Sequence, residues 1–333
     1  MLGATTMKAV VIREPGGPDV LEVREVARPE PGTGQVLVKV EASGVNRADL
    51  AQRLGRYPAP PGWPPDIPGL EFAGTVEACG PHCRARFEGN RVMGLVGGGG
   101  YAEYVVVHED AVVPVPVGLS SAEAGAVPEV FMTAFDAVHL QMGLVAGETL
   151  LVHAVGSGVG TAALQLARAE GAIVFGTSRS PDKLRRAEEL GLDAGIPGGE
   201  APWPVEVLTR TRGRGVDVIL DLVGAPYVAG NLSVLAERAR WVVVGVTGGA
   251  ATEFDLRGLM RKRASITGTV LRARPLEEKV ALARAFEERV LPLFEDGSVR
   301  PVLDATYTPE RAREAHARLE ENLNFGKLVL VWE

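Results

Sequence analysis

The chain is short of the residues that build disulfide frameworks and metal lobes. Its 333 residues include only two cysteines, Cys79 and Cys83, and five histidines. Two cysteines exclude a disulfide framework and a four-cysteine zinc lobe. The stretch CGPHC sets His82 between them, but it is one cluster without a second ligand pair, so no metal is expected there. No apolar run reaches the roughly 18 residues of a membrane-spanning helix. The opening MLGATT, ahead of a second methionine at Met7, has neither a basic n-region nor an apolar h-region. No secretory signal is therefore expected, and a reducing cytoplasm is the expected location. Lysine is scarce, six against 29 arginines, and the arginines are scattered among acids. With a net charge of -7, no nucleic-acid partner is expected, because nothing concentrates the cations that phosphate binding requires. Five Asn and four Gln are also few, which suits a thermophile and a GC-rich genome equally.

The length leaves room for about two domains. Residues 7 to 115 hold short alternating segments separated by Gly and Pro: KAVVIRE, VLEVREV, QVLVKVEAS, EFAGTVEACG, RVMGLVG and YAEYVVVHE. They predict a β-rich, barrel-like unit. PAPPGWPPDIPG, residues 58 to 69, predicts a proline-stiffened loop. The texture changes near Pro114, and SSAEAGAVPEVFMTAFDAVHL predicts two helical segments. From Thr149 apolar strands alternate with helices: LLVHAV with TAALQLARAEG, IVFGTS with PDKLRRAEELG, VDVILDLV with AGNLSVLAERA, then WVVVGVT. This predicts an α/β unit with a doubly wound parallel sheet. A long helix is expected from Pro275 to about Glu295, then PERAREAHARLEEN as a helix and KLVLVWE as a strand. That last strand has no helix partner in the parallel sheet, so it is expected to return to the β-rich unit.

At the first strand-to-helix turn of the α/β region stands HAVGSGVGT, residues 153 to 161. Backbone N–H groups at a glycine turn that opens a helix form an anion site suited to a pyrophosphate. Two registers are open. Gly156 and Gly158 supply a G-x-G with Thr161 third, or Ala154, Ser157 and Gly160 form A-x-x-S-x-x-G. A tight turn packed by small residues would read the same way. About twenty residues on, where an NAD site places an acid on the ribose, the second strand ends in Thr177, Ser178 and Arg179, with Lys183 a turn later. Hydroxyls and cations without an acid suit a 2′-phosphate, so NADPH is the expected cofactor. A solvated helix start is the plainer alternative.

GVNRADLAQRLGRYP, residues 44 to 58, follows the third alternating strand and gathers Asn46, Asp49 and Tyr57. Asn46 with Asp49 three residues later resembles a capping box, so the stretch reads as a helix start as readily as a reaction site.

The order of these motifs resembles the medium-chain dehydrogenase/reductase superfamily in its zinc-free quinone oxidoreductase (zeta-crystallin-like) branch, and looks closest to the p53-inducible quinone oxidoreductase type. The resemblance runs from Met7 to the C-terminus and is carried by GVNRADLAQRLGRYPAPPG, PGLEFAG, VPEVFMTAFDAVHL, HAVGSGVGTAALQLAR, DVILDLVGAPY, RWVVVGVTGG and NLNFGKLVLVW. It implies a GroES-like β-rich catalytic domain, residues 1–126 and 269–333, with a Rossmann domain, 127–268, inserted between. It implies that Asn46, Asp49 and Tyr57 line the place where nicotinamide meets substrate. It implies cofactor contacts from Asn46, Thr133, Gly156, Ser157, Gly158, Val159, Thr177, Ser178, Arg179, Lys183, Val223, Gly224, Val246, Thr247, Asn324, Gly326 and Lys327. Zinc-dependent members bind a catalytic metal through a Cys near Asn46 and a His just before Glu71. Here those places read Asn46 and Leu70, so no metal is expected. The tyrosine that relatives often carry after the second Rossmann helix is missing from DAGIPGGEAP, and a second one near the N-x-x-D motif is replaced around Ala51. The implied activity is NADPH-dependent, metal-free transfer of hydride to a quinone in the interdomain cleft of a homodimer or dimer-built tetramer. An enoyl or enone reductase (2-alkenal or 2-enoyl thioester) and a non-catalytic, NADPH-binding crystallin-like protein are the alternatives.

Overall fold

A computed structural model describes residues 5–199 and 202–332. The reading of MLGATT falls mostly on residues 1–4, outside the described residues, as do Glu200 and Ala201 of DAGIPGGEAP and the last residue of KLVLVWE. The chain forms two compact units. One gathers the chain as far as Met132, Leu271–Gly297, and the chain from Pro301 onward; the other holds Thr133–Val270 and Ser298–Arg300.

In the first unit β1 (Thr6–Ile12) and β2 (Leu21–Ala27) form an antiparallel pair. A second, seven-stranded sheet contains β3 (Gln35–Val45), β4 (Glu71–Cys79), β5 (Arg91–Leu95), β6 (Tyr104–His108), β7 (Val112–Pro114), β14 (Leu303–Tyr307) and β15 (Lys327–Val331). Its order is β14-β15-β3-β4-β5-β7, with β6 also on β3. The alternation in QVLVKV has its physical cause here: Val36, Val38 and Val40 enter a core with Leu50, Phe72, Tyr101, Leu328 and Leu330, while Lys39 faces outward. The expected GroES-like β-rich unit is present. The helices of this unit are α1 (Arg47–Arg53), α2 (Ser121–Ala124), α9 (Leu276–Arg289), α10 (Leu291–Glu295), α11 (Ala312–Glu320) and most of α3 (Pro128–Ala134), whose last two residues belong to the second unit. The single long helix expected from Pro275 is in fact two, α9 and α10, because Pro292 has no N–H for the helical ladder. VPEVFMTAFDAVHL continues from α3 into a π-helical stretch, Phe135–Gln141.

The second unit carries six parallel strands, β8 (Thr149–Val152), β9 (Ile173–Ser178), β10 (Ala194–Pro197), β11 (Val216–Asp221), β12 (Leu235–Val243) and β13 (Ser265–Gly268). Between them run α4 (Gly158–Glu170), α5 (Pro181–Glu189), α6 (Trp203–Arg210), α7 (Val228–Val234) and α8 (Leu256–Lys262). The order β10-β9-β8-β11-β12-β13 winds both ways from β8, which is the Rossmann order, with its switch point between β8 and β11. β10 and α6 were not foreseen. AGNLSVLAERA is only half helix: α7 stops at Val234, and Leu235 already pairs with Val216 as β12. Burial of Leu235, Ala236 and Ala239 in the core of this unit overrides the helical preference of Leu-Ala-Glu-Arg-Ala. Among the described residues no helix is long and apolar enough to cross a membrane.

Candidate active site

In the second unit the expected nucleotide residues gather at the C-terminal ends of β8, β9, β11 and β12. Gly156 lies in the loop after β8, and Ser157 caps α4, its Oγ accepting the Gly160 N–H at 3.1 Å. Gly158 and Val159 open that 13-residue helix, so its unpaired N–H groups and positive dipole end face the loop. Packing favours the A-x-x-S-x-x-G register. A Cβ on Gly160 would sit 2.6 Å from the carbonyl oxygens of both Ala154 and Val155. Gly160, rather than Thr161, is the small residue that lets the helix close on the loop. Ala154 holds φ at 52°, a conformation that glycine adopts most easily.

At the end of β9, Ser178 Oγ accepts the Ser180 N–H at 3.2 Å. Arg179 is exposed, and Lys183 is half-buried in the first turn of α5. Asp182, the next acid along the chain, pairs with Arg185 at 2.6 Å. Thr177 is fully buried, with Oγ1 2.9 Å from His153 Nδ1, so its hydroxyl faces the interior. The bond begins a chain. His153 Nε2 lies 2.6 Å from Asn231 Oδ1, Asn231 Nδ2 donates to Asp221 Oδ2, and Asp221 Oδ1 accepts the N–H groups of Val223 and Gly224. Burial pushes the His153 pKa down, which suits a neutral ring held between these partners. The turn at Val223–Gly224 is thereby fixed from below. Thr247 donates to the Leu222 carbonyl, and Val246 packs within 3.0 Å of the position a Gly224 Cβ would take. Thr133 is buried on α3.

In the first unit β15 and β4 flank β3 antiparallel to it, so the starts of β15 and β4 meet the end of β3, and each delivers one polar side chain: Lys327, Glu71 and Asn46. Lys327 Nζ donates to Glu71 Oε1 and Asn46 Oδ1, both at 2.6 Å, and to the Val45 carbonyl at 3.1 Å. Asn46 Nδ2 donates to Glu71 Oε1 at 2.8 Å and to the Gly44 carbonyl at 3.3 Å. Glu71 Oε2 takes the Glu129 N–H at 2.8 Å. All three side chains are buried. Gly44 makes room for this centre, because a Cβ there would stand 2.0 Å from Glu71 Oε1. Lys327 is consequently not a surface lysine. Asn324, whose amide donates to the Gly326 carbonyl at 2.7 Å, and Gly326, with φ at 80°, form the turn that aims it inward.

The helix-cap reading of Asn46 and Asp49 holds: the two form a capping box that opens α1, with Asp49 Oδ2 accepting the Asn46 N–H at 2.8 Å, and the Asn46 side chain bonds Glu71 and Lys327 as well. Asp49 is fully buried, and its oxygens also accept the Gly69 N–H and the Tyr101 hydroxyl. It positions the start of α1. Burial raises its pKa to about 6 despite those donors and the Lys327 charge. Behind it Tyr101 meets His316, and His316 meets Arg53. Tyr57 differs from its two companions. It is half-buried, Arg272 lies over its ring at 5.0 Å, and its hydroxyl has no hydrogen bond among the described residues. Sequence reasoning passed over Glu71, Glu129 and Arg272, although PGLEFAG and VPEVFMTAF contain the first two.

The loop at α4 fits a dinucleotide phosphate. The centre in the first unit does not fit a zinc ion, because an ammonium already bonds its carboxylate and its amide oxygen. Among the described residues no group of three or more His, Cys, Asp or Glu could hold a metal ion.

A GroES-like sheet unit and a Rossmann sheet unit in one chain define an oxidoreductase of the alcohol dehydrogenase type. Residues 32–117 match the family described as alcohol dehydrogenase GroES-like domain, and residues 158–288 the family described as zinc-binding dehydrogenase. Quinone oxidoreductase of Mus musculus is 32% identical over 334 residues, 99% of this chain and 99% of that protein. A solved NAD-dependent alcohol dehydrogenase is 34% identical with a TM-score of 0.86, covering 98% of this chain and 100% of that one. A mycobacterial protein solved with NADPH is 28% identical with a TM-score of 0.86 at the same coverage, 98% and 100%. The chain belongs to the quinone oxidoreductase branch of the medium-chain dehydrogenase/reductase superfamily.

Proposed function

We propose that this protein is a zinc-independent, NADPH-dependent quinone reductase. The observation that carries the reading is the Lys327–Glu71–Asn46 centre, in which a fixed ammonium bonds the groups that would face a metal. An alcohol needs a Lewis acid to stabilise its alkoxide, whereas a quinone accepts hydride without one. NADPH is favoured over NADH by exposed Arg179 at the end of β9 and by the engagement of Asp182 with Arg185. The cofactor supplies the hydride, and the chain's residues bind and orient. The Gly156–Val159 loop holds the pyrophosphate, and Tyr57 offers its unengaged hydroxyl to the acceptor oxygen. Assembly as a homodimer belongs to the same proposal, with sedimentation as its test.

The test is NADPH oxidation with a naphthoquinone and with 2-enoyl thioesters, before and after treatment with a chelator. Quinone turnover indifferent to the chelator is expected. Turnover on thioesters alone replaces the reading with an enoyl reductase. Tight NADPH binding with no turnover replaces it with a binding protein, and stoichiometric zinc whose removal abolishes activity overturns it.

A further inference from the structure

One carboxyl beside the buried centre has no structural employment among the described residues. Glu129 is the second residue of α3, where an acid ordinarily serves the helix dipole. Its N–H is spent on Glu71 Oε2, which places the residue against the Lys327–Glu71–Asn46 centre. Its own carboxyl makes no hydrogen bond or ion pair among the described residues. The cations around it are bound elsewhere. Arg272 donates to the carbonyls of Gly97 and Tyr57 and to Gln52 Oε1, Lys279 Nζ donates to the Arg272 carbonyl, and Lys327 is held by Glu71. The negative groups facing it are Glu71 on β4 and Asp49 on α1, and Tyr57 lies alongside. Burial, then Glu71, raise its pKa to about 8 against the pull of Lys327 and Arg272. The carboxyl keeps its proton at neutral pH, and among the described residues no group takes a hydrogen bond from it.

We propose that Glu129 is the proton donor that completes the reduction, a role that rests on the reductase reading above. The acceptor gains a hydrogen with its electron pair from a dihydronicotinamide nucleotide, whose C–H bond breaks and which is oxidised. The Glu129 O–H bond breaks, its proton joins the oxygen of the reduced acceptor, and the electron pair stays on the carboxylate. Water returns the proton. A quinol oxyanion is stabilised by its ring and needs this donor little, whereas an enolate from a conjugated enone needs it more.

The experiment compares wild type, Glu129→Gln and Glu129→Asp with a naphthoquinone and an enone across pH. For wild type, kcat on the enone is expected to fall as pH rises through about 8, because the donor must be protonated. In Glu129→Gln the enone kcat is expected to drop by roughly 10²–10⁴-fold and lose that pH dependence, with KM and NADPH binding kept. Glu129→Asp is expected to recover part of the rate. Infrared difference spectra of the cofactor-free protein supply an independent reading: a carboxyl band that titrates near 8 in wild type and is missing from Glu129→Gln. Absence of that band overturns the proposal, as does a Glu129→Gln protein with unchanged rate and pH profile while wild type turns over. A wild type without turnover on either acceptor overturns the reductase reading itself, and the proposal with it.

Discussion

Lys327 Nζ and Glu71 Oε1 lie 2.6 Å apart with both side chains inside the fold. Each ion is tolerable there only because of the other. Lys327→Met leaves a buried carboxylate without its cation and is expected to cost about 3–5 kcal/mol in urea unfolding. Lys327→Met with Glu71→Met removes both charges and is expected to recover much of that loss. A double variant as unstable as the two single losses combined would show that the pair is not coupled.

The nucleotide loop gives a prediction that separates cap from cradle. Ser157→Ala removes the bond to the Gly160 N–H and is expected to cost about 1 kcal/mol of stability. Gly160→Val drives a side chain against the Ala154 and Val155 carbonyls and is expected to weaken NADPH binding by tenfold or more, roughly 1.4 kcal/mol. Urea unfolding reads the first, and calorimetric titration with NADPH the second.

Arg179 offers the charge that would distinguish the two nicotinamide dinucleotides. Reversing it in Arg179→Glu is expected to weaken NADPH binding by roughly tenfold to a hundredfold, the scale of one charge-assisted hydrogen bond. NADH binding should hardly change. Equal effects on both cofactors would place the 2′-phosphate elsewhere.

Asp49 makes stability depend on pH in a definite direction. Its folded pKa of about 6 is above the unfolded value, so between the two the folded state holds a proton that the unfolded state has released. Ionisation therefore works against folding, and its contribution to stability falls as pH rises from about 4 to 6. In Asp49→Asn that component vanishes. The difference in unfolding free energy, wild type minus variant, is expected to decline across this window and level off above it. A flat difference would mean that Asp49 titrates normally.

Much of the architecture was legible because it rests on periodicity. Val36, Val38 and Val40 announce a half-buried strand, and the apolar runs at Leu150 and Ile219 announce buried parallel strands. What periodicity misses is where tertiary contacts overrule local preference. The Leu235–Ala239 stretch looks helical until its pairing with β11 is seen, and the break at Val290 follows from a proline two residues on. The site divides in the same way. Asn46, Tyr57 and the glycine loop could be found because they stand in short motifs. The engagement of Thr177 with His153 and of Asp49 with Tyr101 joins residues 24 and 52 positions apart, so neither could be read from a motif. Glu129 was hidden for another reason: an acid at a helix start needs no explanation until its carboxyl is seen to bond nothing among the described residues.

β15 enters the sheet at an interior position, between β14 and β3, and brings Lys327 to a carboxylate 256 residues earlier in the chain. Without that strand β3 keeps an open edge, and Glu71 keeps a charge without an opposite. The Thr133–Val270 unit gains none of its strands from β15. A chain cut short before β15 therefore keeps every strand of the nucleotide half while its other half is unbalanced. The closing strand acts as a latch on the β-rich half, fastened by the Lys327–Glu71 bond.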